Sequence, residues 1–191
     1  MKEIKSEKNE FLQNIRNTFE NFFGEDAKNK INLMNYLPED KWLEIKKVGL
    51  LLPFLAEKLG GHKPDQIELE ETLRIAGNYS VPTTLRTGIE GALVLQPLVA
   101  YATPELINEV LPLIFEGEGG GLGITEPETS GSAIAREMQS YYEVLDDNTI
   151  HVNAVKYWQG NSTSDFLLVA AKERKNGKLS KIINLIFVPK Q

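Results

Sequence analysis

Cysteine is absent from the sequence, and histidine occurs only at positions 62 and 151. Without cysteine, the chain can form no disulfide framework, no thiolate metal site and no cysteine nucleophile. His62 and His151 lie too far apart along the chain to indicate a metal site, because metal ligands normally recur at short spacings. The sequence therefore favours neither a disulfide-stapled protein nor a metalloenzyme.

Long apolar runs are also absent. A membrane-spanning helix needs about 18 or more consecutive apolar residues, and no stretch of the chain approaches that length. The N-terminal residues 1–10 are polar and lack the apolar core of a secretory signal. We therefore expect a cytoplasmic protein that does not bind membranes.

An excess of positive charge is missing as well. The chain has 21 basic and 27 acidic residues, and its formal net charge is -6. The densest basic cluster, residues 172–181, is interrupted by Glu173 and by the Asn176-Gly177 pair. Nucleic acid is therefore not an expected partner.

The composition is that of a protein with a packed core. Of the 191 residues, 41% are hydrophobic and 25% are charged, which is typical of globular proteins. The length fits one large domain or two small ones. Internal repeats and low-complexity tracts do not occur, so a repeat architecture is not expected.

The first half of the chain has the apolar periodicity of helices. Apolar residues share one helical face from Phe11 to Phe23, and helical spacing recurs at about 65–76 and 83–101. Pro97 is expected to kink or end the last of these helices, because proline lacks a backbone N–H.

A further helix start is predicted at Thr103-Pro104-Glu105. This run combines a capping hydroxyl, a proline at the first helical position and an acid near the positive end of the helix dipole. The apolar residues between Leu106 and Ile114 are expected to form the buried face of that helix.

After Glu116 the pattern changes to a glycine-rich run at 117–123 and then to the alternation typical of strands. Turn residues divide the strands into two predicted hairpins, 138–145 with 149–157 and 166–171 with 182–188. Helices followed by strands predict an α+β fold. We expect an N-terminal helical domain at residues 1–118, followed by an antiparallel β-sheet or partial barrel at 119–191.

Two familiar motifs do not occur in the glycine-rich and serine-containing segments. The run at 117–123 has no Gly-x-Gly-x-x-Gly spacing and follows no strand, so it is not a dinucleotide-binding fingerprint. The run Thr129-Ser-Gly-Ser-Ala133 does not match the Gly-x-Ser-x-Gly elbow of a hydrolase. Nucleophilic hydrolysis is therefore disfavoured.

Two other runs resemble the signatures of acyl-CoA dehydrogenases. Leu122-Gly-Ile-Thr125-Glu126-Pro127, followed by Gly131-Ser132, resembles the first signature, and Lys156-Tyr-Trp158-Gln-Gly-Asn161 resembles the second. Weaker similarities lie upstream, at Gly49–Pro53 with Gly60-Gly61, at Thr87–Gly91, and at Leu111-Pro112 with Gly117-Glu118. The resemblance runs in the family's order from about residue 40 to residue 189.

This resemblance implies a fold and an activity. The fold has an α domain, a β-barrel and a second α domain, and the activity is FAD-dependent α,β-dehydrogenation of an acyl-CoA thioester in fatty acid metabolism. By the same resemblance, Thr125 lies beside the flavin N5, Trp158 contacts the flat flavin ring, and Ser132 contacts the cofactor pyrophosphate and the bound CoA. The implied FAD-contacting residues are Leu122, Gly123, Ile124, Thr125, Ser132, Trp158, Gln159 and Gly160.

The resemblance also implies a substrate pocket. Thr87, Glu90 and Val94 lie on successive turns of one helix, which in the family lines the acyl pocket, and Ser132 joins them as a substrate contact. A carboxylate on an apolar helix invites a catalytic role. The family, however, takes its catalytic base from the C-terminal domain, so Glu90 is expected either to form the pocket floor or to lie behind the residues that do, and no catalytic residue is expected in this chain.

Further expectations concern the whole enzyme. The chain ends about midway through the family's β domain, so the C-terminal helical domain would be absent and the sheet would have an uncovered edge. The resemblance implies an electron-transferring flavoprotein as electron acceptor and a homo-oligomer at full length.

The sequence departs from the family pattern at four places near the expected flavin site. Three residues separate Pro127 from Gly131 where two are usual, and Ala133 replaces an acid. Leu122 stands where an aromatic residue is frequent, and Gly160 stands where a hydroxyl residue usually donates near the flavin. Backbone amides would then carry more of the flavin contact.

Two alternatives remain open at this stage. A flavin-dependent monooxygenase of the same fold would carry similar signatures but would use reduced flavin and oxygen. A short non-catalytic module that binds acyl-CoA or another protein would also explain a chain that lacks a catalytic base.

Overall fold

The structure is a computed structural model that describes residues 2–25, 29, 37–62, 66–129, 131–147, 149–161 and 163–190, with the side chains described from residue 10 onward. The chain packs as two compact units, Met1–Gly117 and Glu118–Gln191. We call them the helical unit and the sheet unit. The boundary of 118/119 that the sequence suggests stays a prediction.

The helical unit consists of helices joined by short turns. Its α-helices are α1 Lys2–Phe23, α2 Glu39–Lys47, α3 Gln66–Tyr79, α4 Val81–Gly88, α5 Gln96–Tyr101 and α6 Pro104–Glu116. Two short 3₁₀ turns, Leu52–Phe54 and Glu57–Leu59, follow α2. A π-helical segment, Ile89–Leu95, joins α4 to α5.

The core of the helical unit confirms the predicted apolar face of α1. Ile15, Phe19 and Phe23 are fully buried, and they pack with residues from α2 and α3. Their spacing of four residues places them on one side of the helix. Trp42 of α2 and Ile75 of α3 close the cluster from the other side.

The helix predicted at 83–101, with a kink or an end at Pro97, continues through Pro97 and ends at Tyr101. The π-helical segment before it explains why, because the N–H of Gln96 donates to the carbonyl of Gly91, five residues back. In this segment the hydrogen bonds reach five residues back instead of four, so the regular α-helical pattern is interrupted just before Pro97. Pro97 has no N–H, and the interrupted pattern does not require one there. Of the two outcomes expected at Pro97, the helix does not end there, and the kink stays a prediction.

The predicted start of α6 is confirmed. The Thr103 hydroxyl accepts a hydrogen bond from the N–H of Leu106 at 3.4 Å, and Pro104 is the first helical residue. Val110 and Ile114 are buried on its inner face. The helix ends at Gly117, whose φ of 127° favours glycine.

In the residues of the sheet unit that the structure describes, there are five strands and one short helix. The strands are β1 Gly120–Gly123, β2 Tyr141–Val144, β3 Ile150–Asn153, β4 Phe166–Lys175 and β5 Lys178–Pro189, and the helix is α7 Ile134–Glu137. Both predicted hairpins are confirmed, because β2 pairs with β3 and β4 pairs with β5 in antiparallel fashion. Asn176 and Gly177 both have positive φ in the second turn, as this type of tight hairpin requires.

The sheet is mixed, which corrects the expectation of antiparallel pairing throughout. β1 and β2 both run parallel to β4, with Gly120 opposite Phe166 and Tyr141 opposite Lys172. Parallel neighbours need long connections. Long segments lie between these strands in the chain, at 124–140 between β1 and β2 and at 154–165 between β3 and β4. These two segments carry most of the two sequence signatures.

Strand β4 forms the centre of the sheet unit. Phe166, Leu168 and the run from Val169 to Lys172 are buried, and the Phe166 ring lies 5.1 Å from the ring of Phe187 on β5.

Among the described residues, the helices are too short or too polar to cross a membrane.

Candidate functional site

The two signature segments lie side by side beyond the end of β1. The backbone N–H of Tyr157 donates to the carbonyl of Thr125 at 2.9 Å. A side chain added at Gly123 would meet Lys156 at 3.2 Å and Gln159 at 3.8 Å. The residues 122–125 and 156–160, which are 30 positions apart in sequence, therefore form one surface, which we call the signature surface.

A buried ion pair joins the two signatures beneath this surface. The Nζ atom of Lys156 lies 2.9 Å from Oε1 of Glu126, and both side chains are about 95% buried. The carboxylate also accepts the backbone N–H groups of Gln139 at 2.7 Å and Ser140 at 2.9 Å. Lys156 donates in addition to the carbonyl of Ile124 at 3.1 Å, so one ammonium contacts both the acid and the strand end.

The ion pair changes the protonation behaviour of both partners. Burial alone would raise the pKa of Glu126, but the hydrogen bonds from Gln139, Ser140 and Lys156 outweigh it and lower the pKa to about 2. Burial lowers the pKa of Lys156, and its hydrogen bond to Glu126 opposes that effect only in part. Glu126 is therefore a structural acid that is charged at neutral pH and is a poor proton acceptor.

Trp158 is the most conspicuous residue of the signature surface. Its side chain is 90% exposed, and its backbone has a φ of 58°. A bulky residue in this left-handed region is strained by about 1–3 kcal/mol. Such strain, together with an aromatic ring that packs against almost nothing, favours a binding role over a core role.

Asn161 ties down the other end of the second signature. Its side-chain Nδ2 donates to the carbonyl of Gly120 at 2.8 Å, and its backbone φ is 61°. A side chain at Gly121 would lie 2.8 Å from the Asn161 carbonyl. The glycines of β1 are therefore needed for close approach of the loop, which gives a physical reason for part of the glycine-rich run.

The remaining predicted flavin contacts are distributed as follows. Leu122, Thr125 and Gln159 are half-buried, and Ile124 and Gly160 are exposed. Ser132 is exposed in the turn before α7. The contacts above join 122–125 to 156–160, and the place of Ser132 in the same site stays a prediction.

An open groove of 510 Å³ lies in the sheet unit next to Glu126. Pro127, Glu128, Thr129, Glu137, Gln139, Ser140, Asn153 and Val155 form its remaining walls. Sequence reasoning missed this groove, because its walls come from three separate stretches of the chain, 126–129, 137–140 and 153–155.

Three of the four predicted substrate residues, Thr87, Glu90 and Val94, lie in the helical unit and are buried, whereas the fourth, Ser132, lies exposed in the sheet unit. Val94 and Thr87 are fully buried, and the Thr87 hydroxyl donates to the carbonyl of Thr83 at 2.7 Å. The carboxylate of Glu90 lies 3.2 Å from Nζ of Lys46 and 3.0 Å from Nε of Arg86. Their contact with an acyl group stays a prediction.

We call Lys46, Arg86 and Glu90 the buried ion cluster, and the exposed Glu39 joins it at the surface. Arg86 bridges both acids, at 2.7 Å to Glu39 and 3.0 Å to Glu90. Burial alone would lower the pKa of Arg86, but hydrogen bonding to Glu39 and the charge of Glu90 raise it. Burial lowers the pKa of Lys46.

Sequence reasoning identified Glu90 but missed its partners. The spacing of four between Arg86 and Glu90 is a helical ion-pair spacing and could have identified one partner. Lys46 lies on another helix, and only the tertiary structure brings it to Glu90. Within the described part of the chain, no group of three or more potential metal ligands occurs.

The chain was compared with known proteins. The family model described as acyl-CoA dehydrogenase, N-terminal domain, matches residues 5–118. No curated protein matched the sequence.

Solved structures share the fold along nearly the whole chain. The butyryl-CoA dehydrogenase of Megasphaera elsdenii is 19% identical with a TM-score of 0.81, covering 95% of this chain and 48% of its own. A glutaryl-CoA dehydrogenase of Mycobacterium smegmatis in complex with FADH2 is 20% identical with a TM-score of 0.78, covering 96% and 45%. The prolyl acyl carrier protein oxidase AnaB is 17% identical with a TM-score of 0.79, covering 97% and 49%.

These structures extend the similarity beyond the matched domain. The chain spans about half the length of each of them, and the similarity includes the sheet unit as well as the helical unit, because almost all of the chain is covered. The fold is therefore that of acyl-CoA dehydrogenases and of oxidases related to them. By the match to its N-terminal domain over more than half of the sequence, the chain belongs to the acyl-CoA dehydrogenase family.

Proposed function

We propose that this chain provides the flavin-ring contacts and part of the acyl pocket of an FAD-dependent acyl-CoA dehydrogenase. The observation that carries the proposal is Trp158, which is 90% exposed in a strained conformation beside the Thr125 segment. An exposed, fixed aromatic ring next to a half-buried hydroxyl suits a flat, polar-edged ligand.

The residues present fit a flavin. Trp158 would contact the flat face of the ring, and the hydroxyl of Thr125 would donate to a ring nitrogen on which negative charge grows. The backbone amides of 123–125 would assist, since Gly123 has no side chain to block their approach. Bound there, FAD would supply the acceptor for the hydride removed from the substrate.

The chain's own acids do not provide a base. Glu126 has a pKa of about 2 and is held by Lys156 and two backbone donors. Glu90 is held by Lys46 and Arg86. We therefore assign neither residue to proton abstraction, and we propose Thr87, Glu90 and Val94 as wall and floor of the acyl pocket.

We propose acyl-CoA as the substrate class. Two of the similar structures are acyl-CoA dehydrogenases, and one is an oxidase that acts on an acyl carrier protein. The binding affinities of an acyl group on coenzyme A and of the same acyl group on a carrier protein can be measured side by side to compare the two substrate classes. An electron-transferring flavoprotein as acceptor and a homo-oligomeric whole enzyme stay predictions from the family resemblance.

A titration tests the flavin contact. The 191-residue chain is titrated with FAD, FMN and ADP while flavin and tryptophan fluorescence are recorded. We expect FAD and FMN to bind and ADP to leave tryptophan emission unchanged. Trp158→Ala should weaken FAD binding by about tenfold, because an aromatic stack contributes roughly 0.5–1.5 kcal/mol.

The matched control is Tyr101→Ala, which removes another aromatic ring that is 85% exposed. It should bind FAD like the unaltered chain. Absence of FAD binding, or equal affinity of the Trp158→Ala variant, would contradict the proposal.

A further inference from the structure

We propose that Glu126, Lys156 and Asn161 are positioning residues that clamp the loop between them and hold Trp158 ready for a flat ring. The proposal rests on the proposed function in one respect, namely that Trp158 contacts a flavin. The clamp itself follows from contacts within the sheet unit, and it can be measured without any cofactor.

The first anchor lies on the N-terminal side of Trp158. Lys156 is fixed by Glu126 at 2.9 Å and by the carbonyl of Ile124 at 3.1 Å. The next residue, Tyr157, donates its backbone N–H to Thr125. Glu126 is itself held by two backbone N–H groups, so the anchor is connected to the loop that precedes β2.

The second anchor lies on the C-terminal side. Asn161 donates from its side chain to Gly120 at 2.8 Å, and its carbonyl accepts the N–H of Ser164 at 3.1 Å. Gly120 lies on β1, which pairs with β4 at the centre of the sheet. The segment 157–160 is therefore anchored to β1 at its C-terminal end and to residues 124–126, which directly follow β1, at its N-terminal end.

Trp158 cannot account for its own conformation. With 90% of its side chain exposed, packing contributes little to hold its backbone at a φ of 58°. A strained conformation persists only where the surroundings impose it. The two anchors are the contacts on either side of Trp158 that can impose it.

The clamp has a consequence for binding. An exposed ring on a loose loop loses conformational freedom when a ligand binds, and this loss weakens affinity. A ring that is already fixed avoids the loss. We therefore expect the anchors to affect flavin affinity through Trp158, although none of the three side chains needs to touch the flavin.

The first test uses the cofactor-free chain. The chain has two tryptophans, and the indole N–H signal of Trp158 is followed by NMR in unaltered protein and in variants. Lys156→Met should move this signal towards the value of a mobile indole and narrow it. Lys156→Arg, which keeps the cation, should restore most of the original signal.

The control variant is Lys175→Met, which removes an exposed lysine at the end of β4 and should leave the Trp158 signal in place. If Lys156→Met fails to fold, Asn161→Gly tests the second anchor, because glycine accepts a φ of 61° without strain. It should loosen Trp158 in the same way. An unmoved Trp158 signal in both variants would overturn the clamp.

The second test is a double-mutant cycle with FAD. Lys156→Met should weaken FAD binding by about fivefold to tenfold when Trp158 is present, and by less than twofold in a Trp158→Ala background. Equal weakening in both backgrounds would overturn the proposal, because Lys156 would then act on binding by another route.

The two tests separate this proposal from the proposed function. If the unaltered chain does not bind FAD, the proposed function fails, and the NMR test still decides whether the anchors hold Trp158. If FAD binds but the NMR signal ignores both anchors, the positioning role fails while the flavin contact stands.

Discussion

Lys156 and Glu126, which lie 30 positions apart in the sequence, form a buried ion pair with 2.9 Å between Nζ and Oε1. Each belongs to one of the two signature runs. Two of the signature residues, Glu126 and Lys156, therefore connect the two signature runs by a buried contact. Trp158 and Thr125 lie on the signature surface above them.

The Glu126 carboxylate makes stability depend on acid pH. Its pKa is lowered from 4.5 to about 2, so the stabilisation is complete above about pH 5 and is lost as the pH falls through about 2. At about 1.4 kcal/mol per pKa unit, the loss is on the order of 3 kcal/mol. Urea unfolding between about pH 6 and pH 2 measures it.

Glu126→Gln should remove this pH dependence and lower the free energy of unfolding at neutral pH. Glu137→Gln, an exposed acid in α7, is the control and should keep it. If Glu126→Gln and the unaltered chain lose stability in parallel on acidification, the buried pair is not its source.

The buried ion cluster should matter for the helical unit. Glu90→Gln leaves Lys46 buried without its anionic partner, and breaking a buried pair in this way typically costs about 3–5 kcal/mol. Glu44→Gln removes an exposed acid 3.6 Å from Lys41 and should cost less than about 0.5 kcal/mol. Thermal or urea unfolding compares the two.

A double variant, Glu90→Leu with Lys46→Met, replaces the pair by apolar side chains and should recover part of the loss. If it is no more stable than Glu90→Gln alone, the loss comes from packing rather than from the unpaired charge.

Two helical glycines should respond to alanine in opposite directions. A methyl group at Gly91 would lie 2.5 Å from the ring of Phe54, whereas one at Gly88 meets nothing within 4 Å. Gly91→Ala should therefore destabilise by about 1–3 kcal/mol through overpacking. Gly88→Ala should stabilise by up to about 1 kcal/mol, because alanine favours the helix. Equal effects of the two substitutions would show that Phe54 does not pack closely against Gly91.

Trp158 should lower the stability of the chain while it contributes to flavin binding. Asparagine tolerates the left-handed conformation better than a bulky residue does, so Trp158→Asn should raise the free energy of unfolding by about 0.5–1 kcal/mol. The same variant should lose the flavin-ring contact. Tyr101→Asn, in which the replaced ring is also exposed, should not gain stability. A loss of stability in Trp158→Asn would mean that the ring contributes packing.

The apolar periodicity determined most of the secondary structure. Local rules of spacing, capping and turn conformation predict the buried face of α1, the start of α6 at Thr103 and both hairpins. These rules depend only on residues that are close together in the sequence. The π-helical segment before Pro97 was not predicted. Its hydrogen bonding depends both on the missing N–H of Pro97 and on the packing of several helical turns.

The sequence by itself also determined the family and the identity of the signature residues, since residue types at fixed spacing are visible in one dimension. Only the tertiary structure decided how those residues divide their tasks. Parallel pairing of β1 and β2 with β4 brings together segments that are 30 positions apart. In this arrangement Glu126 and Lys156 are buried as a pair and Trp158 is exposed. Burial and long-range contacts decide which signature residues are structural and which are exposed, and no local sequence pattern encodes them.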